Sequence, residues 1–175
     1  MLKTLLFIII AGILVYLLLR LCLYLYRPFF LSKTFREIEQ TYNRLLTVAE
    51  KDVGSAVENL GKWQSGDKVI RTMWTEDEIK ESINAAKAAR AHEEEVYGKF
   101  LRLRERFLHN PDKLSESIVT YQRYLNIRLQ QRQNAGVAAN ALTLGAISFD
   151  EFVAAAKETK IALEENERKL DILLT

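Results

Sequence analysis

The chain has 175 residues, of which 49% are hydrophobic and 27% charged, and its formal net charge is +2. That balance is too apolar for a disordered chain and too charged for a polytopic membrane protein, and the small net charge gives no global pull toward nucleic acid. A single cysteine, Cys22, excludes an intramolecular disulfide, while two prolines and seven glycines leave room for long uninterrupted helices.

The first predicted element is a membrane anchor over residues 1–30. Leu5 to Leu19 carries no charge, and with Leu2 to Thr4 the stretch reaches 18 residues. As a helix it is about 27 Å long, enough to cross a hydrocarbon core. Arg20 is placed to reach back to the headgroups, and Tyr24, Tyr26, Arg27, Phe29 and Phe30 have the character of a membrane–water interface. Pro28 is expected to break or bend the chain there. The apolar run is long for a cleaved signal, and no small-x-small site follows it. Leu19, Arg20 and Leu21 before Cys22 lack the small residue that a lipoprotein signal needs just ahead of its cysteine, so Cys22 reads as an inert interfacial side chain. Lys3 precedes the span, whereas Arg20, Arg27, Lys33 and Arg36 follow it. Basic residues favour the cytoplasmic side, which predicts a single-pass protein of the inner (plasma) membrane with its C-terminal body in the cytoplasm.

The body, residues 31–175, divides into four predicted helices over about 30–64, 75–108, 111–143 and 148–174. In the first, Phe35, Ile38, Tyr42, Leu45 and Ala49 recur at coiled-coil spacing; Asp52 interrupts the seam, and Val53, Ala56, Val57, Leu60 and Trp63 resume an apolar face. The segment from Ser65 to Trp74 reads as a break. Thr75 and Glu78 then form a capping box, with Trp74 and Ile79 placed as its staple. The second helix has Ile79, Ile83, Ala86, Val96, Phe100, Leu103 and Phe107 as its core face. Asn110 is placed as a cap and Pro111 as the first residue of the third helix, whose core positions are Leu114, Ile118, Tyr121 and Leu125. That helix then turns polar and small, with Ala135, Gly136, Ala138 and Ala139 permitting close helix approach.

Gly145 is placed for a helix C-cap, and Ser148 with Glu151 for a second capping box with Ile147 and Phe152 as its staple. The run Gly145-Ala146-Ile147-Ser148-Phe149-Asp150-Glu151 resembles the hairpin bend of bacterial periplasmic efflux adaptors, and also the short helical modules that end many bacterial proteins. The likeness covers about 15 residues, and the adaptors' upstream Arg and Leu are Val137 and Ala141 here; capping chemistry alone accounts for the shared pattern. In the last helix Phe152, Ala156, Thr159, Leu163, Asn166, Leu170 and Leu173 form a heptad seam, and Thr159 and Asn166 share one position in it, where a polar residue fixes register. The seam predicts an association surface.

Candidate chemistry is sparse. His92 with Glu93, Glu94 and Glu95 invites a metal, but a zinc protease needs a second histidine where Val96 stands, and neither His92 nor His109 has a glutamate three residues before it. The acidic run therefore reads as a solvated helix face, and His109 as part of a turn. No Gly-rich phosphate loop or activated nucleophile is present, and no cofactor is expected. Charge falls in blocks: seven acidic residues against three basic over 74–98, eight basic against three acidic over 99–132, and seven acidic against four basic over 148–175. Antiparallel hairpins set such blocks side by side, where they satisfy one another. The pattern thus points away from nucleic acid.

Together these features predict an all-α protein, with an N-terminal transmembrane helix followed by a four-helix, coiled-coil-like antiparallel bundle. They suggest a non-enzymatic, membrane-anchored scaffold or accessory subunit. Its partners would be the lipid bilayer and other helical proteins or further copies of itself. The alternative is a helical component of an envelope-spanning secretion, efflux or phage-lysis machine with its body in the periplasm.

Overall fold

The computed structural model describes Leu2–Thr175, with the side chains at 1–12, 19, 22–30, 136 and 139 outside the description. It is all helical: α1 (Leu2–Gln64), α2 (Lys68–Met73), α3 (Glu76–Arg106), α4 (Pro111–Thr143) and α5 (Phe149–Leu174), with no strand among the described residues. The chain divides into two compact units, Met1–Gln40 and Thr41–Thr175.

In the first unit the helix runs on through Pro28 instead of breaking there. A proline removes one helical hydrogen bond, and the Leu-rich turns before it and the Lys, Arg and Glu residues after it are good helix formers that carry the helix across. Ile13–Leu18 and Leu21 are each more than half exposed. Among the described residues no helix is long and apolar enough to cross a membrane; most of the expected span, residues 1–12 and 19, lies outside the described side chains.

The second unit is an antiparallel bundle. Tyr42 stacks on Tyr97 with ring centroids 3.9 Å apart, and Glu50 pairs with Arg90 at 3.2 Å, so α1 and α3 run in opposite directions. Phe100 stacks on Tyr121 at 4.5 Å, and Tyr121 lies 6.0 Å from Tyr124. An aromatic column thus joins α1, α3 and α4, each such pair adding about 1 kcal/mol to the area it buries. Along α5, His92 meets Glu167 and Lys99 meets Asp171, so α3 and α5 are parallel.

The seam residues Ile38, Tyr42, Leu45 and Ala49 are all buried, as are Ile79, Ile83, Val96, Phe100, Leu103 and Phe107 on α3 and Leu114, Ile118, Tyr121 and Leu125 on α4. Val57 departs from the pattern and faces solvent. A smaller cluster of Ala56, Ile79 and Ile83 packs with Leu60, Trp63 and Ile70.

Local sequence sets each end. Gly66, at φ +89°, closes α1: its N–H donates to Trp63 O and that of Asp67 to Lys62 O, the paired bonds of a glycine C-cap. The expected break after it holds α2, because the Asp67 carboxylate accepts from the Val69 and Ile70 amides and starts a new turn. Trp63 ties this corner together. Its Nε1 donates to Trp74 O at 3.2 Å, and its carbonyl accepts from Arg71 Nε at 2.8 Å. Both capping boxes, Thr75 with Glu78 and Ser148 with Glu151, are complete. Gly145, at φ +69°, repeats the glycine cap, with Gly145 N–H donating to Leu142 O and Ala146 N–H to Ala141 O.

Candidate association surfaces

The expected seam of α5 divides in two. Leu163, Asn166 and Leu170 are buried, Leu173 is half-buried, and α3 and α4 both pack against the helix. Polar contacts reinforce that packing: His92 Nε2 lies 3.0 Å from Glu167 Oε1, Lys99 Nζ lies 2.8 Å from Asp171 Oδ1, and Arg106 donates to Leu173 O at 3.5 Å. The hydrogen bond that Lys99 donates to Asp171, above all, raises the Lys99 ammonium above the ordinary lysine value. Toward the N-terminus the seam opens. Phe152 and Thr159 are half-buried, and Ala156 is exposed, contrary to the heptad expectation. The facing stretch of α4 is too small and polar to cover it, with Ala135 and Asn140 themselves exposed.

Asn166 lies in the core. Its amide donates to Ala162 O in its own helix at 2.8 Å, so its polarity is satisfied within α5. Of the expected interface residues Arg20 is exposed, while Tyr24, Tyr26, Arg27, Phe29 and Phe30 lie outside the described side chains.

The acidic run on α3 is not uniformly solvated. Glu94 and Glu95 are exposed, but Glu93 is buried between helices. Its carboxylate accepts from Tyr124 Oη at 2.8 Å and from Arg128 Nε, and Arg132 Nη2 stands 3.9 Å away. Arg132 Nη1 also donates to Asp52 Oδ2 at 2.6 Å. From α4 it therefore pins both α1 and α3, and Asp52 interrupts the apolar seam because it meets that guanidinium. Burial, reinforced by the Glu93 charge and hydrogen bond, pushes the Tyr124 hydroxyl well above the ordinary tyrosine value. Tyr121 is shifted the same way, chiefly by burial, and its hydroxyl has no hydrogen-bond partner. His92 turns to Glu167 instead of joining this cluster. Among the described residues no group of three His, Cys, Asp or Glu side chains could hold a metal ion. The cluster is built to hold helices together.

Large apolar side chains are exposed along the helices, among them Val57, Val119, Val137 and Ile161, and also at both hairpin ends. Val69, Met73 and Trp74 are exposed at the α1–α3 end, and Leu144 and Phe149 at the α4–α5 bend. Sequence periodicity does not find these residues, because they sit at or beside turns where no helical period extends.

No family model, no curated protein and no solved structure matches this chain.

Proposed function

We propose that this chain is a membrane-anchored helical scaffold that holds other helical proteins, or further copies of itself, at a membrane. One observation carries the anchor. Ile13, Leu14, Val15, Tyr16, Leu17 and Leu18 are consecutive and each 53–60% exposed. Six successive positions cover more than one full turn, so the apolar surface faces every direction. A helix that is hydrophobic all round needs an apolar solvent, and each such side chain gains on the order of 1 kcal/mol or more by leaving water. The uncharged run from Leu5 to Leu19 supplies the length. Arg20, Arg27, Lys33 and Arg36 beyond it favour a cytoplasmic body.

The scaffold reading rests on the bundle. Its buried charges are used to clamp helices, and its ends expose large apolar side chains. The test is purification of the tagged full chain from its native membrane in mild detergent, with a reporter at the C-terminus. A companion protein or second copy at fixed stoichiometry is expected, with the reporter active in the cytoplasm. Elution as a single copy without a companion, in several mild detergents, contradicts the scaffold. A reporter active only outside the cytoplasm moves the body to the periplasm and favours the envelope-machine alternative.

A further inference from the structure

We infer that the outer part of the α4–α5 hairpin, residues 133–162, is a conformational device: it opens as one unit while the rest of the bundle stays closed, and the Glu93 clamp marks its boundary. This goes beyond the scaffold reading above and does not depend on the anchor.

Burial stops at one level of the hairpin. On α4, Tyr124 and Leu125 are buried and Arg128 and Arg132 hold Glu93, but beyond Arg132 no described side chain is buried. On α5, Leu163, Asn166 and Leu170 are buried, but before Leu163 none is. In between, the only large side chains even half-buried among the described residues are Leu142, Ile147 and Phe152; the other half-buried positions are Ala or Thr. Small side chains remove little apolar area from water. Neither the α4 stretch 133–143 nor the α5 stretch 149–162 exceeds the roughly 12–15 residues below which an isolated helix is marginal in water. The α1–α3 hairpin is held better. Ala56, Ile79 and Ile83 are buried there, and Trp63 bonds to both Trp74 and Arg71.

The caps make the opening cooperative. Helices ordinarily loosen from their ends, but at this bend the ends are satisfied. The Gly145 and Ala146 amides donate to Leu142 O and Ala141 O, and the Ser148–Glu151 capping box is complete. The hairpin therefore gives way as a unit down to its first buried residues instead of fraying from the bend. The clamp survives, because Arg132 is held by Asp52 and Glu93, and Glu93 by Tyr124 and Arg128, all outside 133–162. Farther along α5, Glu167 and Asp171 keep their bonds to His92 and Lys99. Opening thus bares Leu142, Ile147 and Phe152 beside the already exposed Leu144 and Phe149, with the core undisturbed.

Hydrogen–deuterium exchange of the full chain in mild detergent tests this, peptide by peptide and corrected for intrinsic rates. Amides of 135–143 and 152–160 should share one opening equilibrium and exchange about a hundredfold or more faster than those around Val96 and Tyr121, yet more slowly than an unfolded chain. Gly145→Ala should speed both stretches about five- to thirtyfold. Ile118→Val, in the core, should speed exchange around Val96 and Tyr121 about two- to tenfold and leave the hairpin rates unchanged. Hairpin amides as protected as those around Val96, or speeded equally by Ile118→Val, would mean that the hairpin opens only with the whole bundle, and overturn the inference. It is also overturned by hairpin amides with no protection, by protection that declines gradually toward the bend, or by hairpin rates indifferent to Gly145→Ala.

Discussion

The carboxylate of Glu93 on α3 accepts the hydroxyl of Tyr124 on α4 at a distance of 2.8 Å, with the Arg128 guanidinium on its other oxygen. Removing one member of a buried ion pair leaves an uncompensated charge, which costs about 3–5 kcal/mol when burial is complete. Arg128 and Arg132 keep some solvent access, so Glu93→Ala should cost about 3 kcal/mol. Combining Glu93→Leu with Arg128→Leu and Tyr124→Phe should recover much of that loss. Denaturant melts of the three proteins check it; a single variant as stable as the parent contradicts the clamp.

Tyr121 and Tyr124 should respond oppositely to loss of the hydroxyl. Tyr124→Phe removes a charge-assisted bond and should cost about 1.5–3 kcal/mol, whereas Tyr121→Phe removes a buried hydroxyl with no partner and should leave stability unchanged or raise it by about 1 kcal/mol. Burial raises both hydroxyls above the ordinary value near 10. The unfolded chain ionises at that ordinary value while the folded chain stays neutral. Their contribution is therefore fully present below about pH 10 and is lost as pH rises beyond it. Chemical denaturation at about pH 8 and about pH 11 should show the loss, and it should be smaller when both positions are Phe.

Much of this core could be read from the sequence. The apolar positions of α3 and α4 and the C-terminal half of the α5 seam lie where helical period puts them, because burial of one face is what that period encodes. Glu93 also sits on the α3 core face, three residues before Val96, and Tyr124, Arg128 and Arg132 recur at intervals of four on α4. That spacing, a buried acid opposite a stripe of hydroxyl and guanidinium groups, could have marked the clamp. The neighbouring Glu94 and Glu95 made the run look like an ordinary solvated face. Ala156 and the exposed hairpin ends were beyond such reading, since their exposure depends on how far the facing helix can reach.

On α5 the buried and exposed residues should separate cleanly. Leu163→Ala and Leu170→Ala should each cost about 2–5 kcal/mol, while Ile161→Ala, at an exposed position, should stay within about 0.5 kcal/mol. Asn166 makes its hydrogen bond within its own helix, so Asn166→Leu should hold or raise stability. Thermal melts distinguish the outcomes, and a neutral Leu170→Ala would mean that α5 is not docked as described.

Gly145 gives a test free of packing effects. Its φ is +69° and an added Cβ would meet nothing within 4 Å, so Gly145→Ala should cost only the backbone penalty, about 1–2 kcal/mol. Gly145→Asn should cost less, because asparagine tolerates that conformation. Equal stability of all three proteins would mean that the C-cap adds nothing.

The proposed anchor is the feature on which the proposed function turns, and extraction of native membranes with high salt and then alkaline carbonate tests it most directly. The full chain should remain in the membrane pellet through both washes and leave only with detergent, while a chain starting at Ser32 should appear in the soluble fraction. Release of the full chain by carbonate would contradict the membrane anchor and with it the scaffold's place at the bilayer.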